Sequence, residues 1–203
     1  PANGVWSLAC EQDTVWGGFS KDGGLAKFNG QHWKVYNSNN SPLGETLNTP
    51  DSNPFELTIT ALNVDSKHNL WIGTNYEGVY RFDKMCWIRY SPTYEIPISS
   101  SSIASMDISA HDVVWLGHSE PAGVDRFDGT SWMNYTPEDS PLPGWYVGDI
   151  HIDKRGGKWF GTAFGLTRFY DGNWTVYDSS NSIFEEGFIL VESITSDNDH
   201  VLW

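Results

Sequence analysis

ITALNVDSKHNLWIGT, residues 59–74, is one copy of a pattern that recurs along this chain of 203 residues. The copy joins an apolar stretch, a polar turn that begins with Asp65 and a Trp-x-Gly element. The tryptophans that lead the five copies are Trp16, Trp71, Trp115, Trp159 and Trp203. The first two are 55 residues apart, and each later interval is 44 residues. Three equal intervals indicate an internal repeat, and a repeat of this length determines the fold.

Each of the first four copies continues in the same order after its leading tryptophan. A turn glycine comes first, then a basic-aromatic pair such as Arg81-Phe82, and finally a Trp-x-x-Tyr element. These closing elements are Trp33/Tyr36, Trp87/Tyr90, Trp132/Tyr135 and Trp174/Tyr177. Short apolar and aromatic runs between Gly-rich and Asp-rich turns are typical of strands in hairpins. In the second copy the pattern predicts strands at 59–65, 70–74, 79–83 and 86–90.

Four antiparallel strands in about 40–45 residues form a propeller blade. The sequence therefore predicts an all-β protein, a β-propeller with four complete four-stranded blades and the start of a fifth. Helical repeats are excluded because the copies lack a 3.6-residue apolar pattern. The blades are expected roughly at 4–36, 58–90, 102–135 and 146–177, with a partial blade at 190–203, all in one propeller segment.

The aromatic and basic residues of the repeat are expected to build the packing between blades. Nine of the eleven tryptophans fit the register, and we expect these nine in the blade core because large flat rings fill the gap between stacked sheets. Trp6 and Trp145 are the two outside the register. The repeated cations are expected to cover aromatic rings with their stems; they are Lys27, Arg81, Arg126 and Arg168.

The composition of the chain limits which classes of partner it can bind. Asp and Glu number 26 against 12 Lys and Arg, a formal net charge of −14, so nucleic acid and anionic membranes would be repelled. No apolar run approaches the ~20 residues that span a bilayer, and we expect no membrane insertion. The start, Pro1-Ala-Asn-Gly4, shows neither an initiator Met nor a signal segment, which predicts a soluble, processed or excised piece. Cys10 and Cys86 fall on an inner and an outer strand, so no disulfide is expected.

The pattern of residues 59–74, followed by Gly78-Val-Tyr-Arg-Phe82 and Trp87-x-x-Tyr90, resembles the two-component regulator propeller repeat. Asn-Ser-Pro-Leu at 40–43 and Asp-Ser-Pro-Leu at 139–142 resemble the Ser-x-Leu element of that family. Such propellers are commonly extracytoplasmic sensor portions of bacterial hybrid sensor kinases, where carbohydrate-derived ligands are typical, and others are secreted. The resemblance implies a periplasmic or secreted sensor domain. Since the fifth blade stops at Trp203, we expect a longer parent, a second copy that completes the ring, or an open propeller.

Ligands usually bind propellers where the outer-to-inner loops and the loops between second and third strands share one face. The first of these loops, 37–58, is longer than its counterparts, which accounts for the first interval being 55 residues and not 44. Trp145 and Tyr146 can stack on a sugar ring there, or equally can cap the next inner strand. The predicted ligand-binding residues are Trp145, Tyr146, Tyr76, Glu77, Glu120, Phe164, Phe184 and Glu185, with Glu186 beside them.

No catalytic residue, metal site or cofactor is predicted. The six histidines occupy unrelated places in the repeat, and no nucleophile, metal or phosphate-loop motif is present. The sequence therefore predicts a non-enzymatic ligand-binding or sensory domain that binds a small ligand such as a glycan, or another protein. Two alternatives stay open: a structural or assembly subunit, and a lyase resembling the streptogramin lyases. The lyase would need His151, on an inner strand, to meet a carboxylate.

Overall fold

The computed structural model describes residues 4–20, 24–44, 57–92, 98–185, 187, 189–197 and 201–203. Within these ranges sixteen strands form four sheets, and each sheet joins four consecutive strands that run antiparallel. The described residues contain no helix, and so none that is long and apolar enough to cross a membrane. The all-β fold and the four complete blades are confirmed.

The strands follow the repeat. Blade 1 contains β1 (Val5–Glu11), β2 (Thr14–Phe19), β3 (Leu25–Phe28) and β4 (Trp33–Tyr36). Blade 2 contains β5 (Ile59–Val64), β6 (Leu70–Thr74), β7 (Val79–Phe82) and β8 (Trp87–Tyr90). Blade 3 contains β9 (Ile103–Ile108), β10 (Val114–His118), β11 (Val124–Phe127) and β12 (Trp132–Tyr135). Blade 4 contains β13 (Val147–Ile152), β14 (Lys158–Thr162), β15 (Gly165–Tyr170) and β16 (Asn173–Tyr177). In blade 2 these strands differ from the predicted ones by at most one residue at an end.

The chain divides into two compact units. Unit 1 comprises Pro1–Pro97 with Ser101–Ile103, and unit 2 comprises Ile98–Ser100 with Ala104–Trp203. In unit 1 blades 1 and 2 share a core that includes Trp16, Leu25, Ile59, Ile72 and Tyr80. In unit 2 blades 3 and 4 share a core that includes Trp115, Val124, Val147, Ile150 and Phe160. Burial of apolar surface between sheets is therefore the main stabilising contribution within each unit.

Aromatic rings carry the contact between the blades of each unit in the same way. In unit 1 the closing Trp87 of blade 2 packs edge-on against Tyr36 of blade 1, with ring centroids 5.9 Å apart. In unit 2 the closing Trp174 of blade 4 packs against Tyr135 of blade 3 at 5.5 Å. In both units the closing tryptophan of the second blade therefore packs on the first, with the edge-to-face geometry that aromatic rings prefer.

Cations cover the leading tryptophans where the structure shows the contact. Lys27 Nζ lies 5.1 Å from the centroid of the Trp16 ring, and the Arg168 guanidinium lies 5.2 Å from that of Trp159. The prediction that these stems cover rings is confirmed at those two positions.

Two of the nine repeat tryptophans are exposed, contrary to the prediction. Trp33 is 63% exposed and Trp203 is 74% exposed. Trp33 occupies the position of Trp87, but no described residue of unit 1 covers that face of blade 1, where Leu8 is exposed as well. Trp203 belongs to a short pairing with the chain around Ser196, and no described strand packs on its other side. The repeat predicts where a ring lies in a blade, whereas burial also requires a neighbouring sheet.

Side chains of the inner strands join each blade to the next one in its unit. Ser7 Oγ donates to Ile59 O at 3.4 Å in unit 1, and Ser105 Oγ donates to Val147 O at the same distance in unit 2. Further along unit 2, Ile194 N donates to Asp149 Oδ2 at 2.6 Å. The chain after blade 4 is thereby attached to β13 as β13 is attached to β9, where Ile152 N donates to Asp107 Oδ2 at 2.7 Å.

Candidate functional site

The two kinds of loop predicted to share a face are hydrogen-bonded to each other. In unit 1 Gly78 N, after the β6–β7 loop, donates to Ser101 O at 2.9 Å. In unit 2 Gly123 N donates to Trp145 O, and Ile189 N donates to Ala163 O, each at 3.0 Å. The loop end of each unit is therefore a continuous surface fixed by backbone contacts. We call the loop end of unit 2 the unit 2 loop face; it comprises 98–100, 119–123, 136–146, 163–164 and the described part of 178–190.

Glu77 is buried, unlike the other predicted ligand-binding residues. Its Oε2 accepts hydrogen bonds from Gly44 N and from Tyr80 Oη, both at 2.9 Å. The carboxylate therefore holds the loop that follows blade 1 against blade 2. Ligand binding by Glu77 stays a sequence prediction, and this placement gives its carboxylate an anchoring role.

Blade 3 uses a buried pair for the same purpose, one that sequence reasoning missed. Asp125 accepts from Ser99 N at 2.7 Å and from Ser99 Oγ at 2.6 Å, while His118 Nε2 lies 2.9 Å from Asp125 Oδ2. Burial raises the pKa of Asp125, but the hydrogen bond and charge of His118 and the bonds from Ser99 outweigh it and hold the pKa below its usual value. The sequence does mark this pair, because His118 stands where blades 2 and 4 have a threonine.

Aromatic side chains gather on the unit 2 loop face. The ring of Phe164 lies against Gly144, where an added Cβ would come within 2.9 Å of Phe164 Cδ2. The ring of Tyr146 lies against Gly148 in the same way, with Cε1 at 3.0 Å. Phe164 is 51% exposed, whereas Trp145 and Tyr146 are half-buried. The structure therefore places the Phe164 ring beside Gly144, the residue that precedes Trp145 and Tyr146 in the chain.

Phe184 occupies a repeated loop position. In the loop after blade 1, Asn40 Oδ1 accepts from Asn37 N, and Leu43 is buried three residues later. The loop after blade 4 repeats the device with Asn181 and Asp178, and Phe184 then takes the position of Leu43. Phe184 is half-buried, so it serves partly as a loop anchor, and Glu185 beside it is exposed.

The remaining predicted residues are placed separately. Glu120 is exposed on the unit 2 loop face and accepts from Ser100 Oγ at 3.1 Å. Tyr76 is exposed in unit 1. Glu186 and residues 45–56, the larger part of the extended loop, lie outside the described residues. Cys10 and Cys86 are both free and exposed.

His151 has polar neighbours on the inner strands of unit 2. Its Nε2 lies 2.7 Å from Ser196 Oγ, and Asp149 precedes it by two residues on β13. Burial raises the pKa of Asp149, and the hydrogen bonds from Ile194 N and Ile150 N and the charge of His151 offset this only in part. The carboxylate that a lyase would need is therefore close to His151. Among the described residues, no group of three or more His, Cys, Asp or Glu side chains is arranged to hold a metal ion.

One sequence family matches the chain. The family described as "Two component regulator propeller" matches residues 54–76, which include β5 and β6 of blade 2. The resemblance to this repeat is thereby confirmed. Among curated proteins, none matches the sequence.

Similar solved structures share the propeller fold. Virginiamycin B lyase from Staphylococcus aureus has a TM-score of 0.73 and 18% identity, over 98% of this chain and 62% of the lyase. The extracellular domain of a putative hybrid two component system from B. thetaiotaomicron has a TM-score of 0.72 and 20% identity, over 96% of this chain and 26% of that one. A second such domain from the same organism has a TM-score of 0.66 and 18% identity, over 100% of this chain and 26% of that one. The chain thus spans less than two thirds of each of these proteins.

Proposed function

We propose that this propeller segment of two component regulator type is a non-enzymatic, extracytoplasmic binding domain that takes a small ligand, such as a glycan, on the unit 2 loop face. The observation that carries the proposal is the position of Phe164. Its ring stays half exposed beside Gly144, which precedes Trp145, although the surrounding backbone is fixed by hydrogen bonds. Exposed aromatic rings on rigid supports are typical of sites that stack on sugar rings.

Charge at this face supports a neutral polyol or a cationic ligand. Glu120 and Glu185 are exposed there, and Asp125 is already engaged by Ser99 and His118. Acidic side chains beside aromatic rings accept hydrogen bonds from hydroxyl groups and would repel an anionic ligand. The extracytoplasmic location is supported by the two similar structures that are extracellular domains.

The proposal is tested by titrating the whole chain with a panel of neutral oligosaccharides while following tryptophan fluorescence and heat. We expect saturable binding that Trp145→Ala and Phe164→Ala each weaken by about tenfold, the usual effect of one lost stacking contact of about 1.4 kcal/mol. Met133→Ala is the matched control, because Met133 is equally exposed but lies on the outer strand of blade 3. Absence of binding, or equal losses in all three variants, would refute the proposal.

A lyase is the second candidate, and the closeness of His151 and Asp149 favours it. The chain would be incubated with a streptogramin B antibiotic, and ring opening would be followed by mass spectrometry. Turnover that disappears in His151→Ala would support the lyase and contradict the non-enzymatic proposal. Unchanged antibiotic would support the binding domain.

An assembly subunit is the third candidate, favoured by the uncovered face of blade 1. Leu8 and Trp33 are each 63% exposed on that face. Contiguous exposed apolar surface of this kind often marks a protein contact. Sedimentation would show a concentration-dependent dimer if this face pairs two copies, and Trp33→Ser would then return the chain to a monomer.

A further inference from the structure

A cleft of 570 Å³ opens in unit 2 at the end of blades 3 and 4 opposite the unit 2 loop face. Its walls are the β9–β10 turn, around His111, and the β13–β14 turn, around Lys154 and Arg155. Residues of both blades complete the lining, so the cleft lies within one compact unit. The proposed binding of a neutral ligand does not involve this end of the blades.

The lining is basic although the protein is strongly acidic. Arg126, Lys154, Arg155 and Lys158 line the cleft, four of the twelve Lys and Arg residues of the chain. Asp153 is the acidic residue among the lining residues. A cleft that concentrates cations in this way attracts anions that the rest of the surface repels.

Among the lining residues the carboxylate of Asp153 is the one acidic group set against these four cations, and its charge acts on Lys158 while its oxygens are held in its own turn. It accepts from Trp159 Nε1, from Arg155 N and from Gly157 N, each at 2.9 Å. Its ion pair, at 3.6 Å, is with Arg168, which is not among the lining residues. Arg126 is paired loosely, with Nη1 3.4 Å from the exposed carboxylate of Asp128.

Two lining cations affect each other directly. Burial lowers the pKa of Lys158, the positive charge of Arg126 lowers it further, and the negative charge of Asp153 offsets this only in part. Two like charges held close at a partly buried position are a cost to the fold that a bound anion would remove.

The cleft also has an aromatic and apolar wall. Trp115 and Phe169 line it together with Ile108 and Ile152. Trp115 is 1% exposed, and its buried Nε1 has no hydrogen-bond partner. The apolar wall that a ligand can contact is therefore formed mainly by the partly buried Phe169, Ile108 and Ile152.

We propose that this cleft binds a small organic anion, whose oxyanion lies between Arg126 and Lys158 and whose apolar body packs on Phe169 and Ile152. The charge pattern excludes cations, and the aromatic wall favours a ligand with a ring over a bare inorganic ion. The site is independent of the unit 2 loop face, and it binds an anion where that face is proposed to bind a neutral or cationic ligand.

The test uses benzoate as the organic anion, benzyl alcohol as its neutral counterpart and inorganic sulfate as an anion without an apolar body. We expect benzoate to bind saturably in calorimetry, to shift the indole N–H resonance of Trp115, and to bind more weakly as salt increases. Benzyl alcohol and sulfate are each expected to bind at least about tenfold more weakly, because each lacks one of the two contacts.

Variants separate the site from the general charge of the chain. Lys158→Gln and Arg126→Gln should each weaken benzoate about tenfold or more, the effect of one charge-assisted hydrogen bond. Lys154→Glu reverses the charge of an exposed turn residue that lines the cleft, and it should also weaken the binding of benzoate. Lys67→Gln is the matched control, since Lys67 occupies the corresponding turn of blade 2. Failure of benzoate to bind, equal binding of benzyl alcohol or sulfate, or equal weakening in Lys67→Gln would overturn the proposal.

Discussion

Trp71 Nε1 donates a hydrogen bond to Asp65 Oδ2 over 3.0 Å, and the other oxygen of the same carboxylate accepts from Asn69 N in the intervening turn. Asp153 and Trp159 repeat this arrangement in blade 4, and Asp197 and Trp203 repeat it after blade 4. In these three copies one aspartate, six residues before the leading tryptophan, therefore closes the hairpin turn and accepts the indole N–H. Blade 3 has Ser109 at this position.

The exchange of Asp for Ser predicts a stabilising substitution. Ser109 Oγ accepts from Val113 N at 3.2 Å, which closes the turn, but Trp115 Nε1 is left without a partner. Ser109→Asp restores the second acceptor and should raise the free energy of unfolding by about 1 kcal/mol, measured by urea denaturation. The reverse change, Asp65→Ser in blade 2, should lower it by about 1–2 kcal/mol.

The substitution Ser109→Asp also provides a second test of anion binding in the cleft. Ser109 lines that cleft, so the new carboxylate of Ser109→Asp should weaken benzoate while it stabilises the fold. A variant that is destabilised, or that is stabilised with unchanged benzoate affinity, would contradict the corresponding half of this expectation.

The repeat made the blades predictable because each strand boundary is marked by a residue whose chemistry is local. Gly78, for example, has φ of 81° and directly precedes the third strand of its blade, and glycine adopts this conformation more readily than any other residue. The site was less predictable. Glu77 and Phe164 follow the same kind of strand in their blades, yet one is buried and the other half exposed. Their surroundings are set by loops distant in sequence, which a single repeat does not encode.

A second prediction concerns the turn glycine of blade 3. Gly123 has φ of 74°, and an added Cβ would lie 2.1 Å from Tyr135 O, a backbone atom that cannot move aside. Gly123→Ala should therefore cost at least about 3 kcal/mol of unfolding free energy, with strain and collision combined. Gly129→Ala is the control, because Gly129 has φ of 96° but open space around it, and it should cost only about 1–2 kcal/mol. Equal losses of unfolding free energy in the two variants would mean that the positive φ alone, and not the collision with Tyr135 O, determines the cost.

A third prediction concerns acid. The pKa of Asp125 is below its usual value, so its ionised form stabilises the fold above the unfolded value of 3.8 and this contribution is lost as pH falls through the folded pKa. Asp125→Asn should cost about 2–4 kcal/mol at pH 7, because it leaves the buried His118 and Ser99 poorly paired. The difference from the original chain should shrink below about pH 4 in denaturation experiments. Asp13→Asn, at an exposed turn, is the control and should cost little at any pH. A gap that stays constant from pH 7 to pH 2.5 would contradict the argument.

The last prediction compares two equivalent tryptophans that differ only in their neighbours. Trp33 stacks on Phe28 at 4.8 Å, and Trp87 stacks on Phe82 at 4.2 Å, so the contact within the blade is similar. Trp87 also packs against the preceding blade, whereas Trp33 faces outward in unit 1. Trp87→Ala should therefore cost about 3 kcal/mol and Trp33→Ala about 1 kcal/mol, measured by urea denaturation at low protein concentration. If both losses are large and the loss at Trp33 grows with protein concentration, the outer face of blade 1 is covered by a second copy, and burial there comes from association rather than from the fold of one chain.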